Sequence, residues 1–283
     1  MRYFIADAFA EHPFGGNTAG VVLAEDGTFP DAGVMQSIAA ELRYSETAFV
    51  RQESNTTWHL RYFTPTGEVE LCGHATVATF ALLHQLGLAE GKCLCKTKAG
   101  LLNVVVGEHV MLQTATPDII HTLTTEETAD AYRALNLSPL SPTLSNLRPQ
   151  VVSTGLPDIM LPLPSVATLN TLRPDMGAIA ALTAHLGAVS LHPFALGNDS
   201  HTAHVRDFAP SCGIPEESAT GTANASLTHY LHTHSLLTLG AECSFLQGEA
   251  MGRPSVVYTH LAPDGNVWVG GPAFIVAEGV LRI

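Results

Sequence analysis

A chain of 283 residues with 46% apolar and 14% charged side chains can bury one large core or two moderate ones, which excludes a disordered polyelectrolyte. A formal net charge of −13, from 26 acidic against 13 basic residues, argues against nucleic acid and anionic membrane as partners, because phosphate affinity needs a basic surface. Five cysteines, an odd number in a chain too long to need staples, together with a start (MRYFIADAF) that reads as a strand rather than a signal peptide, lead to the expectation of a soluble, cytoplasmic protein.

Residues 3–9 and 19–23 read as strands joined by the turn-rich HPFGGN. Asp31 stands where it can cap a helix carrying Val34, Met35, Ile38, Ala39 and Leu42 at helical spacing. Short strands are expected at 47–50 and 58–63, the second closed by Pro65. From Gly73 to Leu86, Ala, Thr, Val, Phe and Leu line nearly every side of the first half of a helix, which predicts that it is buried. Strands at 92–97 and 101–106 follow. The first of them and the turn after it carry the three lysines, Lys92, Lys96 and Lys98, read as a solvated face, and the first also carries Cys93 and Cys95, which point the same way but sit too far apart to bridge easily.

Thr124 and Glu127 make a capping box for a helix ending near Leu135, and 137–149 reads as a loop. Strands at 158–161 and 189–194 bracket a helix at 179–186. A strand at 204–208, a second buried helix at 221–231 and strands at 256–259, 267–269 and 274–276 complete the chain. The alternation is too irregular for repeated βαβ units. Strands wrapped round a central helix, once per half, account for it better and make the fold α+β.

The halves are written to one plan. Arg61, Phe63 and Pro65 precede Cys72, Gly73, His74 and Ala75; Arg206, Phe208 and Pro210 precede Thr220, Gly221, Thr222 and Ala223. An R-x-F-x-P strand end, an acidic loop and a Gly-initiated helix, twice over, imply duplicated lobes, 1–117 plus 272–283 and 118–271. Their helix N-termini are expected to face one cleft that carries the chemistry.

Glu46, in ELRYSETAF between a helix and a strand, is either a turn residue or an acid/base whose pKa a dry cleft raises. His74 either caps and packs or touches a ligand, while Gly73 lets backbone approach a ligand and free helix N–H groups favour a carboxylate there. Gly221 and Thr222, preceded by Glu216 and Glu217, repeat the arrangement: the two helix starts are either plain N-caps in unrelated structural roles or converging donors that bind a small acid and stabilise an enolate. Asn17 in GGNTAG orients a substrate or occupies a left-handed turn. That segment is neither a P-loop nor a dinucleotide fingerprint. His201 with His204, and His229 with His232 and His234, lack H-E-x-x-H spacing and read as solvated or capping residues, so no metal is expected. Cys72 is either an inert packed thiol or a nucleophile whose pKa a helix N-terminus lowers.

The segments DAFAEHPFGGNTAGVV, SETAF, RYFTPTGEVELCGHAT and FAPSCGIPEESATGTA, in this order over essentially the full length, resemble the PhzF-like isomerases of the diaminopimelate epimerase fold group. That resemblance implies two pseudo-symmetric halves, each a curved, mostly antiparallel sheet round a central helix, and an active site between them. By motif match it implies a proton-moving base at Glu46, a histidine at His74 and a small hydroxyl residue at Thr222 after Gly221. The family's aspartate before that glycine is here Glu217, one methylene longer, a reach of about 1.5 Å. Cys72 aligns with the first cysteine of the cysteine-pair epimerases, but Thr220 stands at the second, which points away from a two-cysteine exchange.

The expected function is therefore a cofactor-independent isomerase acting on a small carboxylated metabolite. Glu46, His74 and Glu217 are catalytic, and Asn17, Cys72, Gly73, Gly221 and Thr222 bind substrate. The resemblance also implies a homodimer. Two other readings stand beside it: a hydrolase or lyase working through Cys72, and an inactive small-molecule binding protein on the same scaffold.

Overall fold

The structure, a computed structural model, describes residues 1–24, 26–138, 147–197 and 199–283. The loop expected at 137–149 lies, for residues 139–146, outside the described residues. The chain forms two compact units, Met1–Gln113 with Gly270–Ile283, and Thr114–Val269.

In the first unit β1 (Arg2–Ala8) and β2 (Asn17–Leu23) form an antiparallel pair, with the C-terminal strand Ala273–Val280 on the other side of β1. Helix α1 (Ala32–Leu42) carries the chain across to β3 (Thr47–Gln52), parallel to β2. Then come β4 (Thr57–Phe63), antiparallel to β3, and the short β5 (Glu68–Val69). Helix α2 (Gly73–Gln85) crosses to β6 (Gly91–Thr97), parallel to β4, and β7 (Gly100–Val106) and β8 (Val110–Gln113) finish as a meander.

The sheet curls round α2, which packs on β1, β2, β3, β7, β8 and the C-terminal strand. Small residues make this approach possible. Ala75, Ala78, Thr76 and Thr79 are fully buried, and the two threonine hydroxyls donate back to the carbonyls of Cys72 and Ala75 instead of facing apolar neighbours unpaired. On the outer face Met35, Ile38 and Ala39 of α1 pack on Val22, Phe49 and Phe63. Asp31 occupies the N-cap position of α1, but its side chain makes no capping hydrogen bond, contrary to the expectation from its position.

The second unit repeats this plan. Its strands are β9 (Asp118–Thr122), β10 (Gln150–Ser153), β11 (Pro157–Pro162), β12 (Ser190–Leu196), β13 (Ala203–Val205), β14 (Asp207–Ala209), β15 (Ile214–Glu217), β16 (Glu242–Gln247), β17 (Ser255–Leu261) and β18 (Val267–Gly271), which leads out of the unit. Its helices are α3 (Thr125–Ala134), α4 (Val166–Asn170), α5 (Met176–Leu186) and α6 (Gly221–Thr233). With Ala273–Val280 as β19, the order β9–β10–β11–β12–β13–β16–β17 matches β19–β1–β2–β3–β4–β6–β7 strand for strand. The parallel pairs β11/β12 and β13/β16 stand where β2/β3 and β4/β6 stand.

Helix α6 is the counterpart of α2, buried from Ala223 to Thr228 and packed on β10, β11 and β17. The outer core joins Leu123, Tyr132, Ile159, Leu161, Leu191 and Phe208 with residues of α3 and α5. Thr124 and Glu127 form the expected capping box at α3.

The repeat extends to side-chain chemistry. Arg61 Nε and Nη2 donate to the two oxygens of Glu68 at 2.7 and 2.9 Å, and its guanidinium lies 5.3 Å from the Phe63 ring. Arg206 makes the same fork to Glu216 at 2.8 and 2.8 Å and lies 5.0 Å from the Phe208 ring. The R-x-F motif is thus a bidentate clamp on the hairpin that leads to each central helix.

His204 departs from its expected solvated role. Its side chain is buried, with Nδ1 2.9 Å from Glu249 Oε2 and Nε2 3.0 Å from Asp199 Oδ2. Burial works against its charge, but hydrogen bonds to two carboxylates outweigh burial and raise its pKa above the ordinary value. A raised pKa in the folded state gives stability that is complete below the unfolded value, about 6.5, and is lost as pH rises through the folded value. His204→Gln should therefore lower the melting temperature by about 2–4 °C at a pH near 5.5, a small effect because both carboxylates are half-exposed. Thermal scans should show that gap closing as pH rises through the folded value.

Candidate active site

Glu46 sits between Arg43, which ends α1 in a left-handed conformation, and the first residue of β3. Its backbone is pinned by the strand pairing, since Gly20 N–H donates to Glu46 O at 3.1 Å, next to the Gly20–Thr47 register. A Cβ built on Gly20 would lie 2.8 Å from Thr47 Oγ1 and 3.2 Å from Thr47 Cγ2, and Thr47 is fully buried. Gly20→Ala should thus cost about 1–3 kcal/mol in denaturant titration through overpacking. By shifting the root of β3 it should also lower kcat more than it raises KM.

Helix α2 begins at Gly73 with Cys72 at its N-cap, and the Cys72 side chain makes no capping hydrogen bond. A Cβ built on Gly73 meets nothing within 4 Å, so the space over the helix start is open. His74, 7% exposed, brings Nε2 to 3.3 Å from Glu46 Oε2 and 3.5 Å from Ser45 Oγ. Its Nδ1 lies 3.4 Å from Cys72 Sγ. Burial pushes the His74 pKa down, and the Glu46 carboxylate pulls against that without reversing it, so the imidazole is neutral near pH 7. A neutral ring carries one N–H: Nδ1 faces the Cys72 thiol, while Nε2 faces the Ser45 hydroxyl and the Glu46 carboxylate, so the tautomer decides which nitrogen donates.

The second helix start is similar. Helix α6 begins at Gly221, with Thr220 at its N-cap and no side-chain cap, whereas α3, α4 and α5 are capped by Thr124, Ser165 and Asp175. Glu217 ends β15, and Thr220 Oγ1 lies 3.2 Å from Glu217 Oε2. The Gln247 amide donates to Glu217 O and to Thr220 Oγ1.

The structure therefore brings Glu46, Cys72, Gly73 and His74 together in the first unit, and Glu217, Gly221 and Thr222 around one helix start in the second. Asn17, 8% exposed, is the first residue of β2, three positions before Gly20. The loop before it is tied by Asp7, whose carboxylate accepts from Phe14 N–H and Thr18 Oγ1. Gly16 is obligatory there, because its φ is +65° and a Cβ would lie 2.2 Å from Ala8 O. Sequence reasoning gave no role to Ser45 or Gln247. Ser45 adjoins Glu46, whereas Gln247 lies on a strand that carries no local signal.

Glu46, Cys72 and His74 present one oxygen, one sulfur and one nitrogen within 4.8 Å of one another, a mixed donor set that suits a zinc-like ion. The metal-free chemistry expected from the sequence draws on the same lone pairs, so an ion bound there competes with it.

The phenazine biosynthesis-like family model, PhzC-PhzF, matches residues 6–279. An uncharacterized isomerase, YddE, of Escherichia coli O157:H7 is 34% identical over 297 residues, covering 100% of this chain and 99% of its own. A solved Bacillus anthracis phenazine biosynthesis protein of the PhzF family superposes with a TM-score of 0.86 at 26% identity, covering 100% of this chain and 99% of that one. A hydroxyproline epimerase of Agrobacterium vitis shares the fold, with a TM-score of 0.65 at 11% identity over 99% of this chain and 90% of that one. The two pseudo-symmetric halves, the full-length match and the isomerase relatives agree: the chain belongs to the phenazine biosynthesis-like, PhzC-PhzF family of isomerases.

Proposed function

We propose that the protein is a cofactor-independent isomerase that moves a proton on a small carboxylated metabolite, with Glu46 as its acid/base. The observation that carries this reading is the 3.3 Å contact between Glu46 and a buried, neutral His74 at the open start of α2. In the proposed reaction the Glu46 carboxylate takes a proton from a carbon acidified by conjugation. The electron pair spreads over the conjugated system, and the same carboxyl returns the proton at another carbon, so that atoms and charge balance. His74 Nε2, 3.3 Å from the carboxylate, helps to hold it in position, and uncapped amides near Gly73 stabilise the transient negative charge. Thr222 and Asn17 are assigned to substrate binding and Glu217 to a second proton-carrying role, and the functional protein is proposed to be a homodimer.

Incubation in deuterated buffer with a panel of small unsaturated carboxylic acids tests the reading. One member should lose a single carbon-bound proton signal in proton NMR as its double bond migrates. If no acid in a panel spanning cyclic and open-chain dienes exchanges, the reading fails.

A second reading has its own observation, the 3.4 Å approach of Cys72 Sγ to His74 Nδ1, which is the geometry of an activated thiol. In that case Cys72→Ala abolishes activity. The isomerase reading expects Cys72→Ala to keep most of it.

A further inference from the structure

In the second unit a row of carboxyl groups is bridged by hydroxyls. Asp158 on β11 and Asp207 on β14, 2% and 1% exposed, flank Ser190 on β12. Ser190 Oγ is 2.9 Å from Asp158 Oδ1 and 2.6 Å from Asp207 Oδ1. On its far side, Asp207 Oδ2 is 3.1 Å from Thr220 Oγ1, whose other carboxylate neighbour is Glu217 Oε2. His192 Nδ1 lies 3.0 Å from Asp207 Oδ1.

Hydrogen counting constrains this row. A serine hydroxyl has one hydrogen, so Ser190 can donate to only one of its two carboxylates, and the other contact is a hydrogen bond only if that carboxyl carries its own proton. Asp158 is the group that must carry it. Its Oδ2 is buried without a hydrogen-bond partner, and an ionised oxygen left so would pay the full desolvation penalty. Asp207 is instead met by donors from Ser190, His192 and Thr220. His192 Nε2 is also buried without a hydrogen-bond partner, so an N–H placed there would be stranded. Burial first, and then the charges of Asp207 and Glu217, push the Asp158 carboxyl well above the usual carboxylate range. The other titratable group at this place is Cys212, whose thiol burial and the same three carboxylates push up; Arg206 is turned to Glu216.

We propose that Asp158 stores a proton at neutral pH, and that Asp207 is a positioning residue which shares the Thr220 hydroxyl with Glu217 and, through its charge, favours a proton on Glu217 in the reaction. The second half of this statement rests on the assignment of Glu217 to the site; the first does not.

Infrared spectra of the full chain labelled with carboxyl-13C aspartate test the stored proton without any substrate. At about pH 7, well above the ordinary aspartate range, the wild type should show a label-shifted protonated-carboxyl band that Asp158→Asn removes. Absence of the band in the wild type, a measurement that needs no variant to fold, overturns the proposal, as does its survival in Asp158→Asn. For the positioning role, Asp207→Asn removes a negative neighbour of Glu217. The alkaline limb of the exchange–pH profile, where Glu217 loses the proton it must carry, should then move down by about one pH unit, a tenfold change in protonated fraction. A limb that stays put or moves up overturns that role. Exchange that survives in Glu217→Gln removes Glu217 from the reaction, while the infrared result still decides the stored proton.

Discussion

Glu46→Gln is expected to leave the protein folded and to lower solvent-deuterium exchange on its substrate by about 10²–10⁴-fold, the range that a positioned general acid–base supplies. The fold should survive because Glu46 is fixed through its backbone, by Gly20 N–H and the β2/β3 register, and because an amide of the same shape fills the same space beside His74. What the amide cannot do is take a proton from carbon. The check pairs the exchange rate by NMR with a thermal scan; an unchanged rate removes Glu46 from the mechanism, and a lost transition means the residue serves the fold instead.

Arg206→Ala should cost about 3–5 kcal/mol, because it strands the Glu216 carboxylate in a place where both partners are mostly hidden from water. The side chains of that pair are 9% and 16% exposed, and Arg206 also donates to Leu169 O. The matching change in the first unit should be milder. Arg61 is 24% exposed, and Lys98 Nζ remains 2.8 Å from Glu68 Oε2 after it is removed, so a loss of about 1 kcal/mol is expected for Arg61→Ala. Trp58 and Trp268 fall one in each unit, so fluorescence in single-tryptophan backgrounds during urea titration reads the two effects separately. Equal losses would mean that the repeated clamp does the same job in both units despite its different burial.

The clamp also shows what could be read from the chain alone. Arg61-x-Phe63 and Arg206-x-Phe208 stand out because the motif recurs shortly before a glycine-started helix in each half, and the two all-round apolar helices announce their burial through composition. Which acid each arginine grips is invisible, since Glu68 and Glu216 lie across hairpins of different length. The strand Glu242–Gln247 went unread for a related reason. Besides the neighbouring β17 it pairs with β13, which is parallel and distant in sequence, and that second pairing leaves no local turn signal.

Glu46 and His74 were legible through their surroundings, a helix-to-strand junction and a helix start, but their contact is a product of the β2/β3 crossover. Asp158 and Asp207 had no signal of their own. An aspartate inside a strand reads as solvent-facing, and only tertiary structure buries both on one serine. His204 was misread for the same reason, since Asp199 and Glu249 come to it from two different loops.

The central claim is that one carboxylate, Glu46, steered by a neutral His74, shuttles a proton between two carbons of a bound acid. A crystal structure with the exchanging acid bound tests it most directly. The account predicts a Glu46 oxygen within about 3–3.5 Å of the carbon that exchanges, with His74 Nε2 still on the other carboxylate oxygen. An acid whose exchanging carbon lies against Cys72 or Glu217 instead, with Glu46 out of reach, would contradict it.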